Sequence, residues 1–100
     1  KDNGMNKHEL VQSHVREILD TGRKYGVKSV KLFGSVATGR ETSSSDVDFL
    51  VEMEPERSLL DLGGFQMELE EMMHCKVDVV TANGLRKRLR QRVMHEAVAL

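Results

Sequence analysis

Cysteine is nearly absent from this chain of 100 residues: Cys75 stands alone, which excludes a disulfide framework and a thiolate zinc site. Tryptophan is missing and only four residues are aromatic, too few for a row of base-stacking platforms. With a net charge of −1 there is no strong phosphate-binding field either, so direct nucleic-acid binding is disfavoured. No apolar run approaches the roughly 20 residues that span a bilayer, and no charged-then-apolar segment opens the chain as a secretion signal would. The chain therefore reads as cytoplasmic and free of the membrane. Disorder is excluded as well, because a hydrophobic content of 39% supports a packed core. One hundred residues make one domain. It is expected over 5–100, since Met5 resembles a natural start and residues 1–4 read as a remnant foreign to the fold.

Charge is unevenly spread. Residues 1–40 carry a net +4, residues 41–78 a net −9 and residues 79–100 a net +4. The middle third is suited to meet something cationic, and the basic end to meet phosphate or an acidic partner.

Periodicity divides the chain into seven elements. Leu10/Val11, His14/Val15 and Ile18/Leu19 recur at three-and-four spacing, which predicts one amphipathic helix from Lys7 to about Tyr25, closing near Gly26. Val27 to Phe33 switches to period two and reads as a half-buried strand. Gly34 to Ser45 is small and polar, a loop with one helical turn. Asp46 to Met53 is a second strand, with Val47, Phe49 and Val51 on one face and Asp46, Asp48 and Leu50 on the other. The single proline, Pro55, ends it. Ser58 followed by Asp61 resembles a capping box, and Leu62, Phe65, Leu69, Met72 and Met73 carry a helix to about His74. Gly63 and Gly64 each weaken its first turns by about 1 kcal/mol relative to alanine, so its start can slip to Gly64. Lys76 to Thr81 is a third strand. Leu85, Leu89, Val93, Ala97 and Leu100 mark a last helix after Asn83 and Gly84.

The chemistry lies where acids interrupt apolar strands. Asp46 and Asp48 leave one sheet face about 6 to 7 Å apart. Asp78, inside Val77-Asp78-Val79-Val80, lies on the face opposite Val77 and Val79. If the second and third strands are neighbours, three mutually repelling carboxylates converge. No Lys or Arg adjoins Asp46 and Asp48 in the sequence, so a divalent cation is the natural remedy; hard oxygen ligands suit Mg²⁺. Taken singly, each acid reads equally well as a capping or solvent-facing residue. Gly34-Ser35 at the end of the first strand can line an anion nest at the start of a helical turn, although an ordinary strand-ending turn explains that pair alone. A phosphate cradle facing a carboxylate patch is the layout of a nucleoside-triphosphate site.

Gly34-Ser35, ten intervening residues and then Asp46-Val47-Asp48 resemble the signature of the DNA polymerase beta-type nucleotidyltransferase superfamily. The text from Phe33 to Gly39 and from Ser45 to Val51 is similar to the minimal nucleotidyltransferase (MNT) family of antitoxins, which are encoded with HEPN-domain toxins. The resemblance implies that Gly34 and Ser35 hold the terminal phosphates of ATP, that Asp46 and Asp48 bind two Mg²⁺ ions, and that Asp78 completes one metal site and helps to deprotonate the attacking hydroxyl. Family members often carry an arginine where this chain has Thr38; Arg40, two residues on, is then the candidate for a phosphate contact. The implied activity is transfer of AMP from ATP to a tyrosine hydroxyl of the HEPN partner, silencing its RNase. The alternatives are an antitoxin that only masks its toxin, and a small-molecule nucleotidyltransferase completed by a partner subunit.

Other residues carry less. The four histidines show no ligand spacing, Cys75 reads as a small buried residue at a helix end, and the six methionines read as core or interface filling. Arg86, Lys87, Arg88, Arg90 and Arg92 read either as a solvated helix face or as a surface for an acidic partner or phosphates. The expected fold is a small α/β domain of the polymerase beta-like nucleotidyltransferase type. Three mixed strands carry helices on one face and the carboxylate patch on the other.

Overall fold

A computed structural model describes residues 6–100; the expected start at Met5 and the expected remnant at 1–4 lie outside the described residues. In order, the elements are α1 (Lys7–Ser13), α2 (Val15–Lys24), β1 (Val27–Phe33), α3 (Ser35–Thr38), β2 (Val47–Met53), α4 (Leu59–Met73), β3 (Val77–Thr81), a 3₁₀ turn (Ala82–Gly84), α5 (Lys87–Glu96) and β4 (Val98–Ala99). The sheet runs β3-β2-β1-β4. β1 is antiparallel to both β2 and β4, and β2 is parallel to β3.

Strand alternation decides which face is buried. Val30 and Leu32 of β1, Val47, Phe49 and Val51 of β2, and Val77 and Val79 of β3 pack with Val11, Ile18, Phe65, Leu69 and Met73 of the helices in one core cluster. Phe49, Phe65, Ile18 and Leu69 are fully buried. The alternate residues, Asp48, Leu50 and Asp78, therefore leave the opposite face. At Gly64 the ring of Tyr25 lies 2.5 Å from where a Cβ would stand, so α2 and α4 approach closely only because that position lacks a side chain.

Three expectations change. The sheet has four strands rather than three. The last helix stops at Glu96, because Ala97 turns extended (φ −70°, ψ 140°) and Val98 and Ala99 pair with Leu32 and Lys31. That pairing covers an edge of β1 that would otherwise stand open. The single first helix is two. The amide of His14 donates to Val11 O at 3.0 Å, while Ser13 Oγ donates to Leu10 O at 2.8 Å and His14 Nδ1 lies 2.9 Å from the same carbonyl. Side chains have taken the acceptor that the helix would have used, and the ladder breaks there. The capping box at Ser58 and Asp61 is present as expected, and a second one, Asn6 with Glu9, opens α1. No helix among the described residues is long and apolar enough to cross a membrane.

Candidate active site

Asp48 and Asp78 are register partners on the parallel strands β2 and β3. Adjacent strands lie about 4.8 Å apart and paired residues share a face, so the two carboxylates stand side by side on the face turned away from the core. Asp46 precedes β2 by one residue. The amide of Val47 donates to Lys76 O at 3.0 Å, holding that segment beside the start of β3. Lys76 Nζ reaches to 4.0 Å from Asp46 Oδ2. The sequence neighbours of Asp46 and Asp48 supply no cation, but the turn before β3 does, and only strand pairing reveals it.

Gly34 fits against this patch. Its φ of 82° lies in the left-handed region that side chains disfavour. A Cβ there would collide with Asp48 Oδ2. Both constraints demand glycine, and the second ties the glycine-serine corner directly to the carboxylates. Ser35 begins the one-turn α3, whose first amides have no partner inside the helix. Register places Phe33 opposite Asp48 on β1, an apolar neighbour on the same face.

The electrostatics follow. Asp48 is raised from 3.8 to about 6, first by burial and then by the charges of Asp78 and Asp46. This is a site short of positive charge. The donors are hard carboxylate oxygens beside a corner that no side chain could fill, and this fits a small divalent cation such as Mg²⁺. Among the described residues no three His, Cys, Asp or Glu side chains form a ready-made ligand cage.

Arg40 stands apart from these carboxylates. Its Nε donates to Thr38 Oγ1 at 3.1 Å and its guanidinium lies 3.8 Å from Glu96, while its amide donates to Ser35 O at 2.9 Å. The loop that leads back to Asp46 is pinned by Glu41, whose carboxylate accepts from the amides of Lys7 (2.9 Å) and His8 (3.1 Å) at the start of α1. Nothing in the sequence marks that anchor, because Glu41 lies in a polar loop without periodicity and its partners are more than thirty residues away.

A cleft of about 490 Å³ continues along the same sheet face, lined by Ser29, Lys31, Leu50, Glu52, Asn83 and Met94 among others. Met94 belongs to α5. The expectation of helices on one face alone therefore needs correction, since α5 contributes to the carboxylate side.

The sequence profile described as "Nucleotidyltransferase domain" matches residues 13–100. A Methanocaldococcus jannaschii protein provisionally named a protein adenylyltransferase is 42% identical over 83 residues, which span 83% of this chain and 89% of that protein. Protein adenylyltransferase MntA of Thermococcus cleftensis is 30% identical over 89% of this chain and 87% of its own length. A solved structure provisionally described as a minimal nucleotidyltransferase superposes with a TM-score of 0.87 at 35% identity, over 99% of this chain and 100% of that one. The fold also matches a chain from a complex of a tri-AMPylated Shewanella oneidensis HEPN toxin with its MNT antitoxin. There the TM-score is 0.66 at 19% identity, over 88% of this chain and 69% of that one.

Proposed function

The chain belongs to the nucleotidyltransferase domain family, and from that premise we propose that it is an antitoxin that transfers AMP from ATP to a tyrosine hydroxyl of a HEPN-domain toxin in a Mg²⁺-dependent reaction. One observation carries the reading: Asp48 and Asp78 stand side by side with Gly34 closed down on Asp48. Phosphates lodged at the corner would meet the acids directly. The names of the relatives and the MNT–HEPN complex supply the acceptor class and the adenylyl group.

In this mechanism the backbone amides at Gly34 and Ser35 and the Ser35 hydroxyl hold the β- and γ-phosphates of ATP. Asp46, Asp48 and Asp78 would hold the divalent ions, which would supply neutralisation of the charge that builds up in the reaction. Asp78 also orients the tyrosine hydroxyl and accepts its proton. The phenolic oxygen bonds to the α-phosphorus, the bond from that phosphorus to the bridging oxygen breaks, and pyrophosphate leaves. Positioning and electrostatics supply the rate, with no covalent intermediate on the protein. Arg40 would have to leave Glu96 to reach phosphate.

The test is to incubate the protein with ATP, Mg²⁺ and the HEPN protein encoded beside it, and then to weigh the HEPN protein intact and as peptides. An added adenylyl group on a tyrosine, absent with Asp48→Asn, is the expected result. An unmodified HEPN protein under Mg²⁺ and Mn²⁺ alike would refute the reading. If Asp46→Asn with Asp48→Asn still neutralised the toxin in cells, masking would replace catalysis.

A further inference from the structure

α5 is built against its own stability. Arg86 stands at its N-cap with no side-chain cap, and Lys87 and Arg88 fill its first turn, which has no acidic residue, although the helix dipole favours acids there. Arg88 with Arg92 is a like-charge pair four residues apart, a spacing that destabilises a helix. Of these cations, Arg92 is paired with Glu96 at 3.9 Å, and Arg90 donates to Ala82 O at 3.0 Å and Leu85 O at 3.3 Å. Among the described residues, Arg86, Lys87 and Arg88 take part in no ion pair. In their midst Leu89 is 44% exposed, and with Arg86, Arg88 and Arg92 it lines a hollow of about 250 Å³.

The helix also flanks the site. Arg90 fastens it to the turn that follows β3, the strand bearing Asp78. At its other end Glu96 meets Arg40, just past α3, and Met94 lines the cleft that leads along the sheet from the carboxylates. Whatever covers α5 therefore lies on the same side of the sheet as the carboxylates.

We propose that α5 is the docking surface for the acceptor protein, taking an acidic segment that carries an apolar side chain. Leu89 is the apolar anchor and Arg86, Arg88 and Arg92 are the cationic ring around it. Depletion of acids and an apolar residue ringed by arginine fit a protein partner, since interfaces have an apolar centre with a polar rim and arginine is enriched among the residues that carry their energy. A single-stranded RNA would call for aromatic platforms, and α5 has none. The inference rests on the proposed function only in taking the acceptor to be a protein.

The experiment compares the full chain with the triple variant Arg86→Gln/Arg88→Gln/Arg92→Gln and with Leu89→Ala, using the cognate HEPN protein as probe. Binding is measured by calorimetry without ATP at low and high salt, and KM is measured for acceptor and for ATP in turnover. The triple variant is expected to raise the Kd and KM for the HEPN protein at least tenfold, to abolish the salt dependence of that affinity and to leave the KM for ATP unchanged. Leu89→Ala should weaken binding at least threefold. The triple variant loses one exposed ion pair, Arg92 with Glu96, and one like-charge pair, effects of similar small size, so its melting temperature should match that of the parent and lost affinity is then not lost folding. An unchanged Kd in either variant, or no binding of the HEPN protein by the parent, overturns the proposal. So does a triple variant that loses only binding to an RNA oligonucleotide, or only self-association by light scattering, while its acceptor affinity holds. If the HEPN protein binds but never gains an adenylyl group, the function fails while the calorimetry still decides the docking surface.

Discussion

Asp48 holds its proton in the folded chain at a pH where the unfolded chain has released it. Its carboxyl titrates near 6 in place and near 3.8 when free, so the stabilising contribution of the neutral acid is complete below about pH 4 and is lost as the pH rises through about 6. Each tenfold change in proton affinity is worth about 1.4 kcal/mol. Because the carboxyl is partly exposed, solvent screening reduces the cost of ionising it at neutral pH to about 1 kcal/mol. Asp48→Asn should therefore stabilise the protein by about that amount at pH 7.5, with the gain vanishing near pH 4, while abolishing adenylyl transfer. Denaturant melts of parent and variant at the two pH values check this. Taking the difference isolates Asp48 from Asp61 and Glu68, whose carboxyls are held below their usual range, Asp61 chiefly by the Ser58 amide and Glu68 chiefly by Lys24; their contribution has the opposite sign and is lost as the pH falls. In the proposed site this is a compromise between function and folding.

At the scale of elements, adjacent glycines in α4 separate two causes. A Cβ at Gly63 would meet nothing within 4 Å, whereas one at Gly64 would stand 2.5 Å from the Tyr25 ring, itself held by its hydroxyl bond to Glu68. Gly63→Ala should gain about 1 kcal/mol from helix propensity and reduced unfolded-state entropy. Gly64→Ala should lose more than that gain by pushing Tyr25 aside. Thermal melts of the two single variants, expected to shift in opposite directions, decide it. The glycine pair looked like a weakness at the start of a helix, and it is one only at Gly63. The sequence announced elements well where one signal dominated: alternation in β1 to β3, and the Ser58 box at the start of α4. It misled where a period continued through a break. His14 keeps helical spacing while Leu10 O is captured by side chains, and Leu100 keeps it while Val98 and Ala99 answer the open edge of β1. Those outcomes depend on contacts remote in the chain, which spacing cannot report.

For the whole molecule, the arrangement separates packing from chemistry. One sheet face is buried under α2 and α4, and the other is left to the acids and the cleft. The strand alternation that placed Asp48 and Asp78 opposite Val47 and Val77 was legible without coordinates, as was the corner at Gly34. Lys76 beside Asp46, Glu41 on the amides of α1, and α5 across the carboxylate side were not, because each joins segments that only the topology brings together. In the proposed mechanism Asp46, Asp48 and Asp78 form one electrostatic unit made to receive a divalent cation and a triphosphate. Carboxyl-carbon NMR titration of Asp48, with and without Mg²⁺ and a non-hydrolysable ATP analogue, tests it most directly. The predicted result is a midpoint near 6 in the free protein that falls well below that value when both are added. A midpoint near 3.8 in the free protein, or one that ignores the ion and the nucleotide, would contradict it.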